Sequence, residues 1–255
     1  MTVFGDYARY YDLLYRDKDY VGEAQFVHQL LQRHSAKPRS ILELGCGTGA
    51  HAQLLAKARY EVHGVDVSET MLQQARDRQA HLSSEVAARL DFSLGNVQEI
   101  RLDRTFDAVI SLFHVVSYQT TNAALRATIA TAKAHLKPGG IFIFDAWYGP
   151  AVLNNLPTVR VKRLEDQDTL ITRIAEPEMS PNRNEVEVNY QVFIKEKSSG
   201  TVAELRETHR MRYLFAPEIE WLLENAQMEL VDYREWMSDR EAGLETWGVY
   251  FIGRA

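Results

Sequence analysis

A glycine-rich segment between an apolar run and an amphipathic pattern constrains this chain more than any other feature. Residues 41–51 read Ile-Leu-Glu-Leu-Gly-Cys-Gly-Thr-Gly-Ala-His, and residues 51–58 continue with the spacing of a helix. Glycines at such a turn let the backbone approach a ligand closely and leave amide N–H groups available at the helix N-terminus. The segment therefore predicts a strand, a ligand-binding turn and a helix.

A second acidic residue, at the end of the next strand, narrows the choice of ligand. Residues 60–66 have an apolar strand pattern that ends in Asp66, 21 residues beyond Gly45. A carboxylate at the tip of the second strand of a βαβ unit accepts hydrogen bonds from the ribose hydroxyls of an adenosine. The spacing suits both a nicotinamide dinucleotide and S-adenosylmethionine, so the motif alone predicts an adenosine-containing small molecule.

Composition and charge argue against several classes of protein. The chain has 255 residues, a formal net charge of −6 and no basic block, which disfavours nucleic acid as a partner. Its lone cysteine, Cys46, excludes an internal disulfide, and the His, Asp and Glu residues lack the close spacings of metal ligands. No apolar run approaches the ~20 residues of a membrane span, and the first residues lack a signal-peptide pattern. We expect a cytoplasmic protein with no metal and no membrane partner.

Strand and helix patterns alternate over residues 41–147. The predicted strands are 41–44, 60–65, 90–94, 106–112 and 140–146, and the predicted helices are 50–58, 68–82 and 122–136. Such alternation is typical of an α/β fold with a doubly wound, mostly parallel sheet that helices cover on both faces. Ligands of these folds bind at the carboxyl ends of the strands, where the glycine turn and Asp66 lie.

After residue 158 the pattern changes to alternation with a period of two. The predicted strands are 159–164, 170–175, 185–195 and 201–215, and one face of the third carries Val186, Val188, Tyr190, Val192 and Ile194. A helix at 218–226 and strands at 229–236 and 247–253 follow. We therefore expect an N-terminal helical lid (1–36), an α/β core (37–157 and 216–255) and an inserted antiparallel β cap (158–215).

The segment 134–145 distinguishes between the two candidate ligands. It reads Ala-His-Leu-Lys-Pro-Gly-Gly-Ile-Phe-Ile-Phe-Asp, which predicts a helix end, a tight turn and an apolar strand. Together with Glu43-x-Gly45-x-Gly47-x-Gly49, it resembles the class I S-adenosylmethionine-dependent methyltransferases. The resemblance covers about the first 147 residues and the terminal strands. It implies a seven-stranded Rossmann-like fold that binds S-adenosyl-L-methionine and releases S-adenosyl-L-homocysteine.

The resemblance also implies which residues bind the cofactor. Met71 would lie against the adenine face, and Asn96 stands where the family has an aspartate that accepts from the adenine amino group. The backbone carbonyl of Leu112 would hold the methionine ammonium. The full set of implied cofactor-binding residues is Tyr11, Glu43, Gly45, Cys46, Gly47, Asp66, Val67, Met71, Asn96, Val97 and Leu112.

A closer resemblance comes from the tyrosine-rich segment 7–20, Tyr-Ala-Arg-Tyr-Tyr-Asp-Leu-Leu-Tyr-Arg-Asp-Lys-Asp-Tyr. It is similar to the leader of sugar N-methyltransferases that act on nucleotide-linked amino sugars and carry a β-sheet insert after the fifth strand. This resemblance implies that Tyr11 lies over the methionine end of the cofactor; packing of the tyrosines as a lid is the alternative. Two positions depart from that family. Its members have a catalytic-site histidine near the position of Tyr118 and an arginine near the position of Trp247.

Candidates for the acceptor site follow the fourth and fifth predicted strands and lie on the last cap strand. His114, Tyr118 and His209 are the candidate catalytic residues, because they can contact or orient a reacting amine. The candidate substrate-binding residues are Tyr11, His114, Tyr118, Trp147, Tyr148 and His209, of which the aromatic side chains could stack on a sugar ring. Core packing is the alternative for His114. Glu207 and His209 are polar residues on an otherwise apolar face of the last cap strand, so each is either a substrate ligand or a residue at the rim of the site.

We expect methyl transfer to a small polar acceptor, foremost the amino group of a nucleotide-linked amino sugar. A free amino sugar reaches its neutral form with modest desolvation, so a strong base is unnecessary. The alternatives are O-methylation of a sugar or another metabolite, a non-catalytic S-adenosylmethionine-binding module and an NAD-linked oxidoreductase. The expected partner is a small-molecule substrate, and the added β-sheet layer is a candidate surface for a homodimer.

Overall fold

A computed structural model describes residues 11–255, except for the side chain of Asp12. The first ten residues of the predicted lid, including Tyr7 and Tyr10, lie outside the described residues. The helices are α1 (Tyr11–Leu14), α2 (Tyr20–His34), α3 (Ala50–Lys57), α4 (Glu69–Ala80), α5 (Ser84–Ala87), α6 (Asn122–Ala134), α7 (Gly149–Asn154) and α8 (Ala216–Asn225). Within this part of the chain, no helix is both long enough and apolar enough to cross a membrane.

Seven strands form the main sheet. They are β1 (Ser40–Leu44), β2 (Glu61–Asp66), β3 (Leu90–Leu94), β4 (Phe106–Ser111), β5 (Leu136–Trp147), β10 (Glu229–Glu235) and β11 (Gly248–Arg254), in the spatial order β10-β11-β5-β4-β1-β2-β3. Strands β1 to β5 pair in parallel, and β11 runs antiparallel to both of its neighbours. The predicted doubly wound, mostly parallel sheet is confirmed.

The sheet is buried on both faces, as a parallel sheet requires. All five residues of β1 are buried, and alternate side chains enter the two cores on opposite sides. Leu42 packs with residues of α6 and α8, whereas Ile41 packs with residues of α2 and α3. Because helices cover both faces, the glycine turn lies at the edge that the carboxyl ends of the strands form.

Strand β5 begins earlier than the sequence predicts. We predicted a tight turn at Pro138–Gly140 and a strand from residue 140, but the strand begins at Leu136. Leu136 pairs with Phe106 and Ile141 with Ala108, so five steps along β5 match two along β4. Gly139 has a φ of +75° and donates its N–H to Ala255 O at 3.0 Å. Ala255, which directly follows β11, therefore holds Gly139 and Gly140 in a bulge of β5. The sequence around the glycines gives no indication of this contact.

A second sheet of four antiparallel strands follows the fifth strand. It contains β6 (Arg160–Glu165), β7 (Thr169–Ser180), β8 (Glu185–Glu196) and β9 (Val202–Arg212) in sequence order. The inward face of β8 is apolar and buried at Val186, Val188, Val192 and Ile194. A half-buried antiparallel layer was expected from the period-two pattern, and the division into lid, core and cap stays a prediction.

Helix α1 packs on the inner face of this second sheet. Leu14 is fully buried in a cluster with Leu164, Ile171, Val192 and Ile194. The Lys162 ammonium group donates to the backbone carbonyl of Leu14 at 2.9 Å and pairs with Asp17 at 2.6 Å. Short-range helix propensity does not hold α1 in place, since it has only four residues. Its position depends on this cluster.

Leu14→Ala is expected to lower the free energy of unfolding by about 2–5 kcal/mol, because it removes buried methyl groups and leaves a cavity. Val21, near the start of α2, is 64% exposed and supplies the matched control. Val21→Ala should change stability by less than about 0.5 kcal/mol. Urea denaturation of the two variants measures the difference, and equal small losses would contradict the docking of α1 on the second sheet.

Candidate active site

A cavity of about 550 Å³ lies at the carboxyl ends of the parallel strands, under the inner face of the second sheet. Most predicted site residues line it: Tyr11, Gly45, Cys46, Gly47, Asp66, Val67, Met71, Asn96, Val97, Leu112, His114, Tyr118, Trp147 and His209. Glu43 and Tyr148 are not among the lining residues. The tertiary structure therefore gathers side chains from the glycine turn, four parallel strands and the cap around one space.

The glycine turn has a backbone that other residues adopt with difficulty. Gly45 and Gly47 have φ angles of +77° and +53°. A Cβ on Gly45 would lie 2.6 Å from Val115 Cγ2, whereas one on Gly47 would meet nothing within 4 Å. Gly45 thus permits close packing of two loops, and Gly47 leaves open space toward the cavity. The amides of Gly45 and Cys46 both donate to Val65 O, which ties the turn to β2.

Asp66 is fixed in orientation at the tip of β2. Its Oδ2 accepts from the Gly47 amide and its Oδ1 from the Ser68 amide, each at 2.9 Å. Burial raises the pKa of Asp66, and these backbone N–H groups oppose the rise. Met71, on the helix that Ser68 caps, is 2% exposed and also lines the cavity. A carboxylate and a thioether are thus held beside the glycine turn.

Glu43 lies behind the turn and does not line the cavity. It is 1% exposed, and its Oε2 has no hydrogen-bond partner among the described residues. Burial and the nearby charge of Asp66 raise the pKa of Glu43 to about 8. His51 Nδ1 lies 3.7 Å from its other oxygen. The carboxyl group is therefore mostly protonated at neutral pH until a positive charge approaches it.

His51 links the glycine turn to helix α2, a connection that the sequence did not reveal. Its Nε2 lies 2.7 Å from Glu23 Oε2, and Lys18 also pairs with Glu23. Burial alone would raise the pKa of Glu23, but His51 and Lys18 outweigh it and lower the value to about 2. Trp236 Nε1 donates to the same carboxylate at 3.3 Å. Helix α2 is therefore fastened by charge to the start of α3, next to the glycine turn.

His114 is held by a buried carboxylate that sequence reasoning missed. Asp145, on β5, is 1% exposed and accepts from the His114 amide through both oxygens at 3.1 Å. Its Oδ2 also lies 2.7 Å from His114 Nδ1. Phe113 and His114 both have positive φ angles, which costs about 1 kcal/mol or more each and indicates a constrained loop. Asp145 follows the apolar run 141–144 near the carboxyl end of β5, much as Asp66 follows the apolar residues of β2, and this was the available signal.

Tyr118, His209 and Glu207 form a hydrogen-bonded chain from the cavity toward the surface. The Tyr118 hydroxyl lies 2.7 Å from His209 Nδ1, and His209 Nε2 lies 3.0 Å from Glu207 Oε2. His209 is 4% exposed, and the Tyr190 ring packs edge-on against it at 4.9 Å. Tyr118 comes from the loop after β4, whereas His209 and Glu207 come from β9. These hydrogen bonds therefore form only because the second sheet covers the first.

Tyr148 does not line the cavity, whereas three residues that the sequence analysis did not name as site residues do line it. The Tyr148 ring is buried in the main core rather than in the cavity wall, because residue 148 caps α7 and pairs with Leu214. The prediction that Tyr148 contacts the acceptor is therefore corrected. Tyr15, Arg173 and Tyr190 line the cavity instead. Trp147 lines it as predicted, 6.2 Å from the His114 ring.

Comparisons with known proteins identify the family. Residues 41–140 match a methyltransferase domain. The chain is 31% identical over 210 residues to the dTDP-3-amino-3,6-dideoxy-alpha-D-glucopyranose N,N-dimethyltransferase of Streptomyces fradiae, which covers 81% of this chain and 77% of that protein. It is 30% identical over 189 residues to the dTDP-3-amino-3,4,6-trideoxy-alpha-D-glucopyranose N,N-dimethyltransferase of Streptomyces venezuelae, covering 73% and 76%. This chain belongs to the S-adenosylmethionine-dependent methyltransferases.

A solved structure extends the similarity to the whole methyltransferase. The crystal structure of Streptomyces venezuelae DesVI superimposes with a TM-score of 0.81 at 26% identity and covers 98% of both chains. The predicted class I fold, enzyme class and S-adenosylmethionine cofactor are confirmed, and the nicotinamide alternative is set aside. Among residues 11–255, no three His, Cys, Asp or Glu side chains converge as metal ligands do.

The residues present fit S-adenosylmethionine. The open space at Gly47 admits a ligand to the turn, and the two oriented oxygens of Asp66 face the same cavity. Glu43 keeps a buried oxygen without a partner directly behind the turn. The methyltransferase thus provides hydrogen-bond acceptors and latent negative charge beside an apolar pocket, which suits a cationic adenosine derivative.

The raised pKa of Glu43 predicts how the stability of the methyltransferase without ligand depends on pH. Between the ordinary value of 4.5 and about 8, the unfolded chain releases this proton while the folded chain keeps it. The free energy of unfolding therefore falls as pH rises through this range and levels off above it. Glu43→Gln removes the titration, so its urea midpoint should exceed that of the wild type by more at pH 8 than at pH 5.

Glu61→Gln provides the control for this prediction, because Glu61 is an exposed glutamate at the start of the neighbouring strand β2. Its difference from the wild type should be the same at both pH values. An equal difference at both values for Glu43→Gln would contradict the raised pKa.

Proposed function

We propose that the enzyme transfers a methyl group to the amino group of a nucleotide-linked amino sugar. The observation that carries this proposal is the similarity, over most of the chain, to two enzymes that dimethylate dTDP-linked amino sugars. The cavity supports it, since a tyrosine–histidine pair faces the space beside the cofactor turn. A small-molecule acceptor follows from the enclosed volume and from the aromatic walls.

S-adenosylmethionine supplies the methyl group on a positively charged sulfur. In our assignment, Asp66 accepts hydrogen bonds from the ribose hydroxyls. The methionine ammonium donates a hydrogen bond to the backbone carbonyl of Leu112, and Glu43 offsets its charge. Met71 and Asn96 hold the adenine, one by contact and one by hydrogen bonding. The remaining residues assigned to the cofactor wall are Tyr11, Gly45, Cys46, Gly47, Val67 and Val97.

The tautomer of His209 makes Tyr118 an acceptor of hydrogen bonds. A carboxylate accepts and does not donate, so His209 Nε2 carries a proton and donates it to Glu207. In the neutral imidazole, His209 Nδ1 then has a lone pair and accepts a hydrogen bond from the Tyr118 hydroxyl. The Tyr118 oxygen consequently presents lone pairs to the cavity. An amine N–H that donates to this oxygen is oriented with its own lone pair away from Tyr118.

The same chain of hydrogen bonds removes a proton from the acceptor nitrogen. The nitrogen gives its proton to the Tyr118 oxygen as the hydroxyl proton passes to His209 Nδ1. The resulting imidazolium lies between the tyrosine and the Glu207 carboxylate, which stabilises its charge. Because Glu207 is partly exposed, solvent can take up the proton at that end. Each methylation of a nitrogen requires one such release.

His114 and Trp147 complete the acceptor side in this proposal. Asp145 fixes the His114 ring from behind, so that the rest of the imidazole can contact the acceptor without swinging away. The Trp147 ring packs against Trp247 at 5.8 Å and offers its remaining surface to a sugar ring. Both residues position the acceptor, and the enclosed walls keep water away from the reacting atoms.

Mass spectrometry tests the acceptor class directly. The enzyme is incubated with methyl-labelled S-adenosylmethionine and a panel of dTDP-linked amino sugars, each paired with its hydroxy counterpart. We expect label on amino sugars alone. Label on the hydroxy counterparts alone would replace the proposal with O-methylation. Bound S-adenosylhomocysteine without label on any acceptor would refute the sugar assignment and favour a different substrate or a non-catalytic role.

Asp66→Ala is expected to weaken binding of S-adenosylhomocysteine by about 1–3 kcal/mol, since it removes hydrogen bonds to a charged group. Asp91→Ala is the matched control, because Asp91 is an exposed aspartate on the adjacent strand β3 and does not line the cavity. Calorimetric titration measures both affinities. Unchanged affinity in Asp66→Ala would refute the placement of the ribose.

Tyr118→Phe and His209→Gln are each expected to lower kcat by about tenfold or more, because either change interrupts the proton path. Their affinities for S-adenosylhomocysteine should stay near the wild-type value. Tyr60→Phe is the matched control, since it removes a similar tyrosine–histidine hydrogen bond, to His28 at 2.8 Å, outside the cavity. If Tyr60→Phe lowers kcat as much as Tyr118→Phe does, the effect is one of stability and the path is wrong.

A further inference from the structure

Arg173 occupies a position in the cavity that the cofactor and the methyl-transfer step do not explain. It lies on β7, opposite Val192 in the register with β8, and its side chain lines the cavity. Tyr190 of β8 pairs with Glu207 of β9, and both lie on the same face of the second sheet as Arg173. The hydrogen bond between His209 and Glu207 is therefore on this face too. Arg173 therefore brings a guanidinium group to the same side of the cavity as His209 and Glu207.

Two tyrosine rings hold the guanidinium group in place. Its central carbon lies 5.2 Å from the centroid of the Tyr190 ring and 5.4 Å from that of Tyr15. Arg173 Nη1 also donates to the Tyr15 hydroxyl at 3.2 Å. Aromatic rings stabilise a cation and leave its charge intact, and they restrict the orientation of the planar fork. The arrangement is a rigid, preorganised cation.

The charges that line the cavity are separated by sign. Among the described lining residues, Arg173 is the single arginine or lysine, and Asp66 is the single acidic residue. Asp66 belongs to the cofactor turn at the tip of β2. Arg173 belongs to the cap and is separated from His209 by only the Tyr190 ring, which contacts both. Positive charge is thus located on the acceptor side.

We propose that Arg173 binds a phosphate group of the acceptor, namely the diphosphate of a nucleotide-linked sugar. This inference rests on the proposed function and deepens it, because it assigns the residue that distinguishes a nucleotide-linked sugar from a free one. The guanidinium fork matches the oxygen spacing of a phosphate and forms two parallel charge-assisted hydrogen bonds. With the phosphate on Arg173 and the sugar amine on Tyr118, the sugar ring spans the space beside Tyr190.

Calorimetric titration with thymidine diphosphate tests the site without any turnover. The wild type, saturated with S-adenosylhomocysteine, should bind thymidine diphosphate, and Arg173→Gln should bind it at least about tenfold more weakly. Arg173→Lys keeps the charge without the fork and should fall between the two. The wild-type affinity should also decrease from low to high salt, and this dependence should be smaller in Arg173→Gln, a difference that altered packing alone would not produce.

Arg163→Gln is the matched control. Arg163 is an exposed arginine on the adjacent strand β6, opposite Thr172, so its side chain lies on the outer face of the same sheet. This variant should bind thymidine diphosphate as the wild type does. S-adenosylhomocysteine should bind equally well to all four proteins, which shows that the cavity remains intact.

Three results would overturn the inference. The wild type could fail to bind thymidine diphosphate, or Arg173→Gln could bind it as well as the wild type does. In the third, Arg173→Gln weakens the binding of S-adenosylhomocysteine instead, which would mean that Arg173 binds the carboxylate of the cofactor. Failure of the proposed function is distinguishable from these, since it appears in the labelling assay. If Arg173→Gln weakens thymidine diphosphate binding but no sugar is labelled, Arg173 still binds a phosphate group, and the amino sugar is rejected as the acceptor.

Discussion

The left-handed backbone of the glycine turn is the constraint on which the rest of the site depends. It lets the chain leave β1, fold back against β2 through Val65 O and enter α3 without side chains filling the space. The turn therefore brings together Asp66 at one strand tip, the buried Glu43 behind it and His51 in the first turn of α3. The same backbone would be strained with ordinary residues, because a Cβ disfavours these φ angles.

The second sheet covers one side of the cavity at the carboxyl ends of the parallel strands. A parallel sheet leaves its strand ends open to water, and the cap closes them with the inner face of β7 to β9. Contacts across the closure are polar and specific: Tyr118 meets His209, and Arg173 meets Tyr15. Charge is also divided across it, with acidic groups in the core and a cation on the cap. In the proposed function, the second sheet therefore contributes to binding the acceptor, and the glycine turn and Asp66 bind the cofactor.

Much of the core and of the cavity wall could be predicted because the signals for both are local. Short apolar segments between turns and helical patterns identified the five parallel strands to within a few residues at most ends. The start of β5 was missed, because hydrogen bonds from the distant Ala255 hold Gly139 and Gly140 in the strand. Tyr148 was misassigned because strand periodicity stops where α7 begins, so its direction could not be extrapolated from Trp147.

The sequence by itself determined the class of fold, the glycine turn and the acid at the tip of β2. These features are specified by neighbours within one βαβ unit, where backbone sterics and strand periodicity act over short distances. Only the tertiary structure decided how the acceptor side is built. The contacts of Asp145 with His114, His209 with Tyr118 and Arg173 with Tyr15 join residues 31, 91 and 158 positions apart. Such pairs form when separate layers pack, and no local pattern encodes which side chains will meet.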